Sequence, residues 1–415
     1  MVPQVLIEAP HQKNNQLCML FLKAVAAGLQ RQKIKDPLLS FDEWQSLLEL
    51  SSQQALLPVV FESVYQLLPA ALEHEYRKAT VKLITDQVQR ADLFLRVYRE
   101  LSRVGIEPLV IKGIICRNTY ALSDWRISSD EDIYIPISDY PRFHEAMCQI
   151  GFKSSPPNYR SEHETVYKGG GLTIEGHWEL FPQETQLWTH MNALTEDILK
   201  RAHHIEIDGV KLLTPEPTDH MIYLLLHAMK HFSLAGVGIR QICDIAMWGK
   251  SYEIDWSRVK ETTDSYGATL FTEAVIDAAN RYLGMSIPKG WDTVDSTALI
   301  WDSLEGGNFG RSTADRLHSA SITSISGGEP SSKLKTLFRA VFPSRKAMEN
   351  NYHWVSKSPL LLPVGWGVRL IRYAYSIIRK GASPFRSIEI GRRRVQLLRE
   401  YGVLQTESRP KSNNK

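Results

Sequence analysis

Three acidic side chains stand in a row in the segment "RISSDEDIYI" (126–135), at the point where the pattern predicts the start of a β-strand. Side chains two residues apart share one face of a strand, so Asp130 and Asp132 are expected to point together and Glu131 to point away. Two adjacent carboxylates repel each other unless one is protonated or a cation lies between them. Mg²⁺, or Mn²⁺ in its place, prefers such oxygen ligands. The segment therefore predicts a metal site formed by Asp130 and Asp132.

The strand-like segment "LTIEGHW" (172–178) supplies a third carboxylate. Thr173, Glu175 and His177 alternate onto one face of a strand that can lie beside the first. Two-metal sites activate an attacking oxygen and stabilise a leaving one, and a third carboxylate commonly completes them. Glu175 is therefore predicted as a metal ligand or as the catalytic base. For His177, ordinary packing in the sheet is an equally open interpretation.

The segment "VIKGIICRNTY" has the order strand, glycine, helix, which is typical of a phosphate-binding turn. Gly113 allows a phosphate to approach the backbone, the helix that follows offers N–H groups, and Lys112 adds positive charge. Arg126, Ser128 and Ser129 precede the aspartates and are predicted to hold the leaving phosphates. The alternative is that Lys112 is a surface lysine and Gly113 a simple turn.

A later helical segment, "HAMKHF", offers further polar side chains. His227 and His231 are four residues apart and share a helix face, which permits a metal pair. A second interpretation is that His227 and Lys230 contact phosphates of a bound ligand together with Arg240 from the next helix. A third is plain helix packing, with Arg240 and Asp244 as an i,i+4 pair. The sequence leaves these interpretations open, and the second of them predicts phosphate binding by His227, Lys230 and Arg240.

Composition limits the class of protein. The chain has 415 residues, long enough for two domains, and its 49 basic and 46 acidic residues nearly cancel, so no global charge indicates nucleic-acid binding. Four cysteines without C-x-x-C spacing fit reduced thiols in a cytoplasm. The apolar run 17–29 contains Lys23 and has helical spacing, so it predicts a core helix and no signal peptide. A cytoplasmic protein is predicted.

The periodicity of apolar residues predicts an α+β fold in which a small mixed-sheet palm lies between N-terminal and C-terminal helical regions. In the N-terminal region, steps of three and four predict one buried helical stripe at Val81, Ile84, Val88, Ala91, Leu95 and Tyr98. Thr218 is predicted as the N-cap of the first helix after the palm. The predicted boundaries are 1–105 for the N-terminal helices, 106–213 for the palm, 214–305 for a helical domain, 306–332 for a linker, and 333–415 for a basic helical region with a disordered tail.

The last of these regions is basic, and "GWGVRLIRYAYSIIRKG" places apolar residues opposite several arginines. Such a helix can dock on an anionic membrane or on RNA. It can equally pack on its own protein and leave a solvated charged face. Both interpretations remain open from the sequence.

The motifs taken together resemble a known family. "LVIKG", "RISSDEDIYI" and "IEGHWEL" occur in the order found in an uncharacterised bacterial nucleotidyltransferase family of the DNA polymerase β-like nucleotidyltransferase superfamily. The flanking segments "FDEWQSLLELSSQQALLPVVF" and "LLLHAMKHF" with "IRQICDIAMW" resemble its helical regions. The resemblance covers about residues 17–309. It implies a metal-dependent enzyme that moves a nucleoside monophosphate from a nucleoside triphosphate to an acceptor hydroxyl.

The resemblance also implies residue roles: Asp130, Asp132 and Glu175 bind catalytic Mg²⁺ or Mn²⁺, and Lys112 and Gly113 face the triphosphate. The acceptor, whether a small molecule, sugar, peptide, protein or RNA end, is not selected. The chain departs from the superfamily pattern in four places: Ile114 follows the glycine, sixteen residues separate Gly113 from Asp130, Glu131 stands where an apolar residue is expected, and Gly176 precedes His177. These departures favour an alternative, a catalytically silent member that binds nucleotide or a protein partner.

Overall fold

In the computed structural model, the chain has an α+β fold. The structure describes the following residues: 12–35, 37–159, 162–183, 186–308, 342, 344, 348, 352, 354–355, 358–380 and 384–404. Most of the predicted linker, from 309 on, and the predicted disordered tail, 406–415, lie outside the described residues. No helix in the described part of the chain is both long enough and apolar enough to cross a bilayer.

Among the described residues, four helices precede the first strand, and a short helix follows it. They are α1 (Gln12–Leu29), α2 (Phe41–Gln53), α3 (Leu57–Val64), α4 (Ala70–Arg103) and, after β1, α5 (Ile114–Arg117). The later helices are α6 (Tyr140–Ile150), α7 (Gln186–Met191), α8 (Leu194–Arg201), α9 (Pro217–Leu234), α10 (Ile239–Ser251), α11 (Trp256–Ser265), α12 (Thr269–Leu283), α13 (Thr297–Gly306), α14 (Leu362–Lys380) and α15 (Pro384–Glu400).

The strands form one six-stranded mixed sheet in the order β3-β4-β2-β1-β6-β5. Their bounds are β1 (Leu109–Val110), β2 (Glu131–Tyr134), β3 (Glu164–Gly169), β4 (Leu172–His177), β5 (His203–Ile207) and β6 (Val210–Thr214). β2 lies parallel to β4 and antiparallel to β1, and β1 lies parallel to β6. The mixed sheet confirms the predicted α+β fold class. The strands β3, β5 and β6 were not predicted individually.

Contacts divide the chain into two units. The first consists of Met1–Leu225, Ile242–Thr262 and Ala278–Trp291 and includes the whole sheet. The second consists of Leu226–Gln241, Thr263–Asp277 and Asp292–Lys415.

Local sequence explains how the first helices form. Ser40 accepts a hydrogen bond from the Glu43 N–H while the Glu43 carboxylate accepts one from the Ser40 N–H at 2.9 Å, so a capping box starts α2. α1 buries an apolar face and crosses α3 at Gly28, where an added Cβ would lie 1.9 Å from the Val59 carbonyl oxygen. Only a residue without a side chain permits this approach. The apolar run 17–29 is thus a core helix, as its spacing predicts.

The predicted stripe on α4 is only half right. Ala91, Leu95 and Tyr98 are buried, but Val81 is 57% exposed and Val88 45% exposed. The buried face of this part of the helix is shifted by one residue and carries two polar side chains, Thr80 and Gln87. The Gln87 amide oxygen accepts the Ser128 N–H at 2.7 Å. A pattern based on hydrophobicity alone cannot place a helix face that is buried by hydrogen bonding.

The N-cap predicted at Thr218 is also wrong. The Glu216 carboxylate accepts the N–H groups of Thr218 at 3.1 Å and Asp219 at 3.0 Å, so Glu216 takes the capping role at the start of α9. The Thr218 hydroxyl instead accepts the N–H of Asp255 at 3.1 Å. Glutamate is a rare cap, which is why the sequence pattern favoured the threonine.

In the second unit, the buried face of α15 contains an arginine, Arg394, beside Leu397 and Leu398. Arg394 pairs with Asp302 at 2.8 Å, and both side chains are almost completely buried. The Tyr401 hydroxyl donates to the Asp295 carbonyl at 3.0 Å and accepts the Leu299 N–H at 3.2 Å. This part of the basic region therefore packs on its own protein. The membrane or RNA contact stays a prediction for the remainder.

Candidate active site

Neighbouring strands at the centre of the sheet bring the candidate site together. β2 and β4 run parallel in a register that places Asp132 opposite Glu175 and Tyr134 opposite His177. β1 lies on the other side of β2, and Lys112 lies two residues after Val110, the last residue of β1. One ligand atom from each of Asp132, Glu175 and His177 lies within 4.8 Å of the others. The alternation predicted for the two strands therefore places Asp132 and Glu175 together.

Asp132 is 4% exposed and pairs with two basic groups. Its Oδ1 lies 2.7 Å from Lys112 Nζ and 3.3 Å from His177 Nε2. Burial alone would raise the pKa of Asp132, but the Lys112 ammonium and the His177 ring hold it well below its usual range. The same ion pair raises the pKa of Lys112 against the effect of burial. Asp132 is thus a buried, ionised carboxylate.

Glu175 lies beside this charge and is half-buried. Burial, followed by the negative charges of Asp132 and Glu164, raises the pKa of Glu175 to about 7. Two carboxylates held together in this way form an arrangement that a divalent cation stabilises, since it removes the repulsion between them. Asp132 and Glu175 thus provide hard oxygen ligands that fit Mg²⁺ or Mn²⁺.

Asp130 lies outside both groups of potential metal ligands found in the described part of the chain. Its side chain is half-buried, and its carbonyl oxygen accepts the Ser128 hydroxyl at 2.7 Å. Ser128 is buried, whereas Ser129 is exposed. The metal role of Asp130 and the phosphate roles of both serines remain predictions.

Glu131, the first residue of β2, forms a hydrogen bond to the start of α5, directly after the Lys-Gly turn. Its side chain is 1% exposed, and Glu131 Oε2 accepts the Ile114 N–H at 2.7 Å. A Cβ on Gly113 would lie 1.8 Å from that oxygen. The acid therefore points away from Asp132, as predicted. The Ile114 N–H is therefore not free for a phosphate, and the phosphate role of Gly113 remains a prediction.

The charge of Arg117 and the Ile114 N–H partly offset the cost of burying the Glu131 carboxylate. Burial raises the pKa of Glu131 to about 7, against the opposing effects of the Arg117 charge and the Ile114 N–H. Arg117 is itself 4% exposed, and its Nη2 lies 3.5 Å from Asp124. An apolar residue at position 131 would leave the Ile114 N–H without this partner. The hydrogen bond to the Ile114 N–H thus explains why a glutamate stands at position 131.

Replacement of Gly113 by alanine is expected to destabilise the protein by about 2–4 kcal/mol. Gly113 has φ +52° and ψ −116°, a conformation that L-residues avoid, and the new methyl group would collide with Glu131. Thermal or urea unfolding measures the change. Gly209→Ala is the matched control, since Gly209 has φ +71° and nothing within 4 Å of an added Cβ. Equal losses in the two variants would show that Glu131 does not restrict the turn.

Arg126 is buried and bonded to a carboxylate from α10. Its Nε and Nη2 each lie 2.7 Å from an oxygen of Asp244, and the Tyr120 hydroxyl donates to the same carboxylate at 2.8 Å. Arg126 is 3% exposed. The structure therefore shows Arg126 linking the segment before β2 to α10, and its phosphate role stays a prediction.

The other three predicted phosphate ligands belong to the second unit. His227, Lys230 and Arg240 are all buried there, at 5%, 8% and 4% exposure. His227 Nε2 lies 3.2 Å from His231 Nε2, so the two imidazoles do share a helix face. Their contact with nucleotide remains a prediction.

Two buried histidines, His220 and His177, have partners that the sequence did not predict. His220 is fully buried, its Nε2 lies 2.5 Å from the Ile111 carbonyl, and burial lowers its pKa to about 3, so it supports β1 as a neutral side chain. His177 lies between two carboxylates, because its Nδ1 is 3.0 Å from Glu164 Oε2. Burial alone would lower the pKa of His177, but Glu164 and Asp132 raise it to about 9. Glu164 was not a candidate because β3 was not predicted.

The fold and this cluster define an α+β protein with paired acids at the centre of its sheet and a Lys-Gly turn beside them. A model of a family described as "Uncharacterised nucleotidyltransferase" matches residues 41–284, more than half of the chain. The chain belongs to this nucleotidyltransferase family. No curated protein and no solved structure matches it.

Proposed function

We propose that the protein is a metal-dependent nucleotidyltransferase of the DNA polymerase β-like type. It would transfer a nucleoside monophosphate from a nucleoside triphosphate to an acceptor hydroxyl. The observation that carries this proposal is the pairing of Asp132 with Glu175 on adjacent parallel strands, next to the ammonium of Lys112. Family membership supports nucleotidyl transfer in general. The metal, the nucleotide donor and the acceptor belong to the proposal.

Asp132 and Glu175, with Asp130 from the same strand segment, are the proposed ligands of Mg²⁺ or Mn²⁺. When bound, such a cation lowers the pKa of an attacking hydroxyl and neutralises charge on the leaving pyrophosphate. Glu175 is proposed either to complete this metal site or to accept the acceptor's proton as a general base. The second role requires Glu175 to be ionised when the acceptor binds.

Lys112 is proposed as the main contact to the triphosphate. It pairs with Asp132 at 2.7 Å in the present structure, and we propose that it exchanges this partner for a phosphate oxygen of the nucleotide. Gly113, Arg126, Ser128 and Ser129 are the further phosphate contacts proposed in the first unit. His227, Lys230 and Arg240 are those proposed in the second.

A catalytically silent nucleotide-binding or partner-binding protein is the second candidate. Two observations favour it. The Glu131 carboxylate occupies the Ile114 N–H that a phosphate would need, and Lys112 is already paired with Asp132. Both contacts reduce the positive potential available to a triphosphate at the turn.

Calorimetry and a transfer assay together separate the two candidates. We expect the full chain to bind at least one of ATP, GTP, CTP and UTP in the presence of Mg²⁺ or Mn²⁺. Incubation of α-labelled nucleotide with native cell extract should then give a labelled adduct that mass spectrometry identifies as a sugar, small molecule, peptide or protein. Nucleotide binding without an adduct would favour the silent protein, and no binding of any nucleotide would contradict both nucleotide-based proposals.

A further inference from the structure

A second group of metal-binding side chains lies at one end of the β3–β4 hairpin. Glu164 and His177 are directly opposite each other in this antiparallel pair. His163 precedes Glu164, and its carbonyl oxygen accepts the N–H groups of Trp178 at 3.0 Å and Glu179 at 3.3 Å. The backbone therefore holds His163, Glu164 and His177 side by side on an ordered part of the sheet.

The donor atoms of this group have the spacing of metal ligands. Glu164 Oε2 lies 3.0 Å from His177 Nδ1 and 3.3 Å from His163 Nε2, and all three donor atoms lie within 4.8 Å of one another. In a tetrahedral zinc site, with ligands about 2.0–2.1 Å from the ion, neighbouring ligand atoms are about 3.3 Å apart. The two measured edges match that value within a few tenths of an ångström.

The buried nitrogen of His177 is a second, independent indication. His177 is 1% exposed, and its Nδ1 forms no hydrogen bond of acceptable geometry although Glu164 Oε2 is nearby. A buried polar atom without a hydrogen bond is costly. The side chains of His163 and Glu164 are 19% and 27% exposed, so the group lies close to the protein surface.

We propose that His163, Glu164 and His177 form a site for a divalent transition metal of the zinc class, separate from the Mg²⁺ ligands proposed above. Two imidazoles and one carboxylate favour Zn²⁺, Co²⁺ or Fe²⁺ over Mg²⁺, which prefers oxygen. Three protein ligands leave a fourth position for water or another ligand.

The opposite side of the His177 ring supports this assignment. With Nδ1 directed at the metal, Nε2 carries the proton and faces Asp132 Oδ1 at 3.3 Å. Ligating histidines commonly donate their other N–H to a carboxylate, which fixes the tautomer and the ring orientation. The ion would then hold His177 and, through it, the orientation of Asp132. The site does not depend on nucleotidyl transfer.

Titration of the full chain, first freed of metal by chelation, tests the site. We expect one equivalent of Zn²⁺ to bind by calorimetry, and one equivalent of Co²⁺ to give the visible absorption of a nitrogen-ligated tetrahedral ion. His163→Ala should weaken Zn²⁺ binding at least about 100-fold, because it removes one of three protein ligands. His203→Ala is the matched control, since His203 is an exposed histidine of β5 outside the group, and should leave binding unchanged.

Three outcomes would overturn the proposal. The first is the absence of stoichiometric Zn²⁺ binding by the folded chain. The second is Zn²⁺ binding by His163→Ala that equals the wild type. The third is binding that survives His163→Ala but is lost in Glu175→Gln, which would place the ion on the Asp132 side of His177. Circular dichroism of each variant establishes that it is folded.

Discussion

Replacing Asp132 with asparagine is expected to reduce nucleotide transfer by about 10³-fold or more, since the charge on a metal ligand supplies several kcal/mol of transition-state stabilisation. Asparagine has nearly the same shape, so β2 should keep its pairing with β4. The measurement is the rate of transfer from an α-labelled nucleotide at saturating Mg²⁺ in the folded variant. Its thermal unfolding is followed in parallel because Lys112 loses the negative charge of Asp132.

Asp92→Asn is the matched control for this experiment. Asp92 pairs with Arg96 at 2.9 Å on the exposed surface of α4, where both side chains are more than half exposed. Ion pairs of this type contribute little to stability. We expect the control to transfer nucleotide at the wild-type rate. Near-normal activity in Asp132→Asn would remove Asp132 from the catalytic assignment.

Replacing Asp244 with leucine is expected to destabilise the protein by about 3–5 kcal/mol, because it leaves the buried guanidinium of Arg126 without its carboxylate. The Tyr120 hydroxyl loses its acceptor as well. Urea unfolding of the variant gives the change in the free energy of unfolding. This is the largest stability effect that we expect from a single substitution in the first unit.

The double variant Arg126→Met with Asp244→Leu should recover most of that loss, because apolar side chains of similar size often replace a buried ion pair at no net cost. The same variant tests the predicted phosphate contact of Arg126. Nucleotide affinity equal to that of the wild type would exclude this contact. If the double variant were as unstable as Asp244→Leu, the isolated charge would not be the cause of the destabilisation.

The central strands could be predicted because their signal is local. Short apolar runs predicted β1, β2 and β4, and period-two alternation placed Asp132 and Glu175 on a common face. β3 required a different signal. Gly170 and Gly171 have φ +57° and +81° and form the tight turn between β3 and β4. A two-glycine turn between strand-like runs predicts a hairpin and would have set Glu164 opposite His177 from the sequence alone.

The roles of charged residues were harder to predict because they depend on partners distant in sequence. Arg126 was assigned to phosphate on account of its position before the aspartates, whereas its partner Asp244 is 118 residues away. Nothing in the spacing of either residue reveals that pair. The polar face of α4 was missed for the same reason, since Gln87 is buried by its hydrogen bond to Ser128.

The hydrogen bond between Glu131 and Ile114 has a further consequence for β2. The alternating acids Asp130 and Asp132 make the register of this strand ambiguous, since a slip by two residues would present Asp130 in place of Asp132 to Lys112 and Glu175. The slipped strand would lose the Glu131 contact and leave the Ile114 N–H without its acceptor. An acid that takes no part in the proposed chemistry thus selects which of its two neighbours faces Glu175.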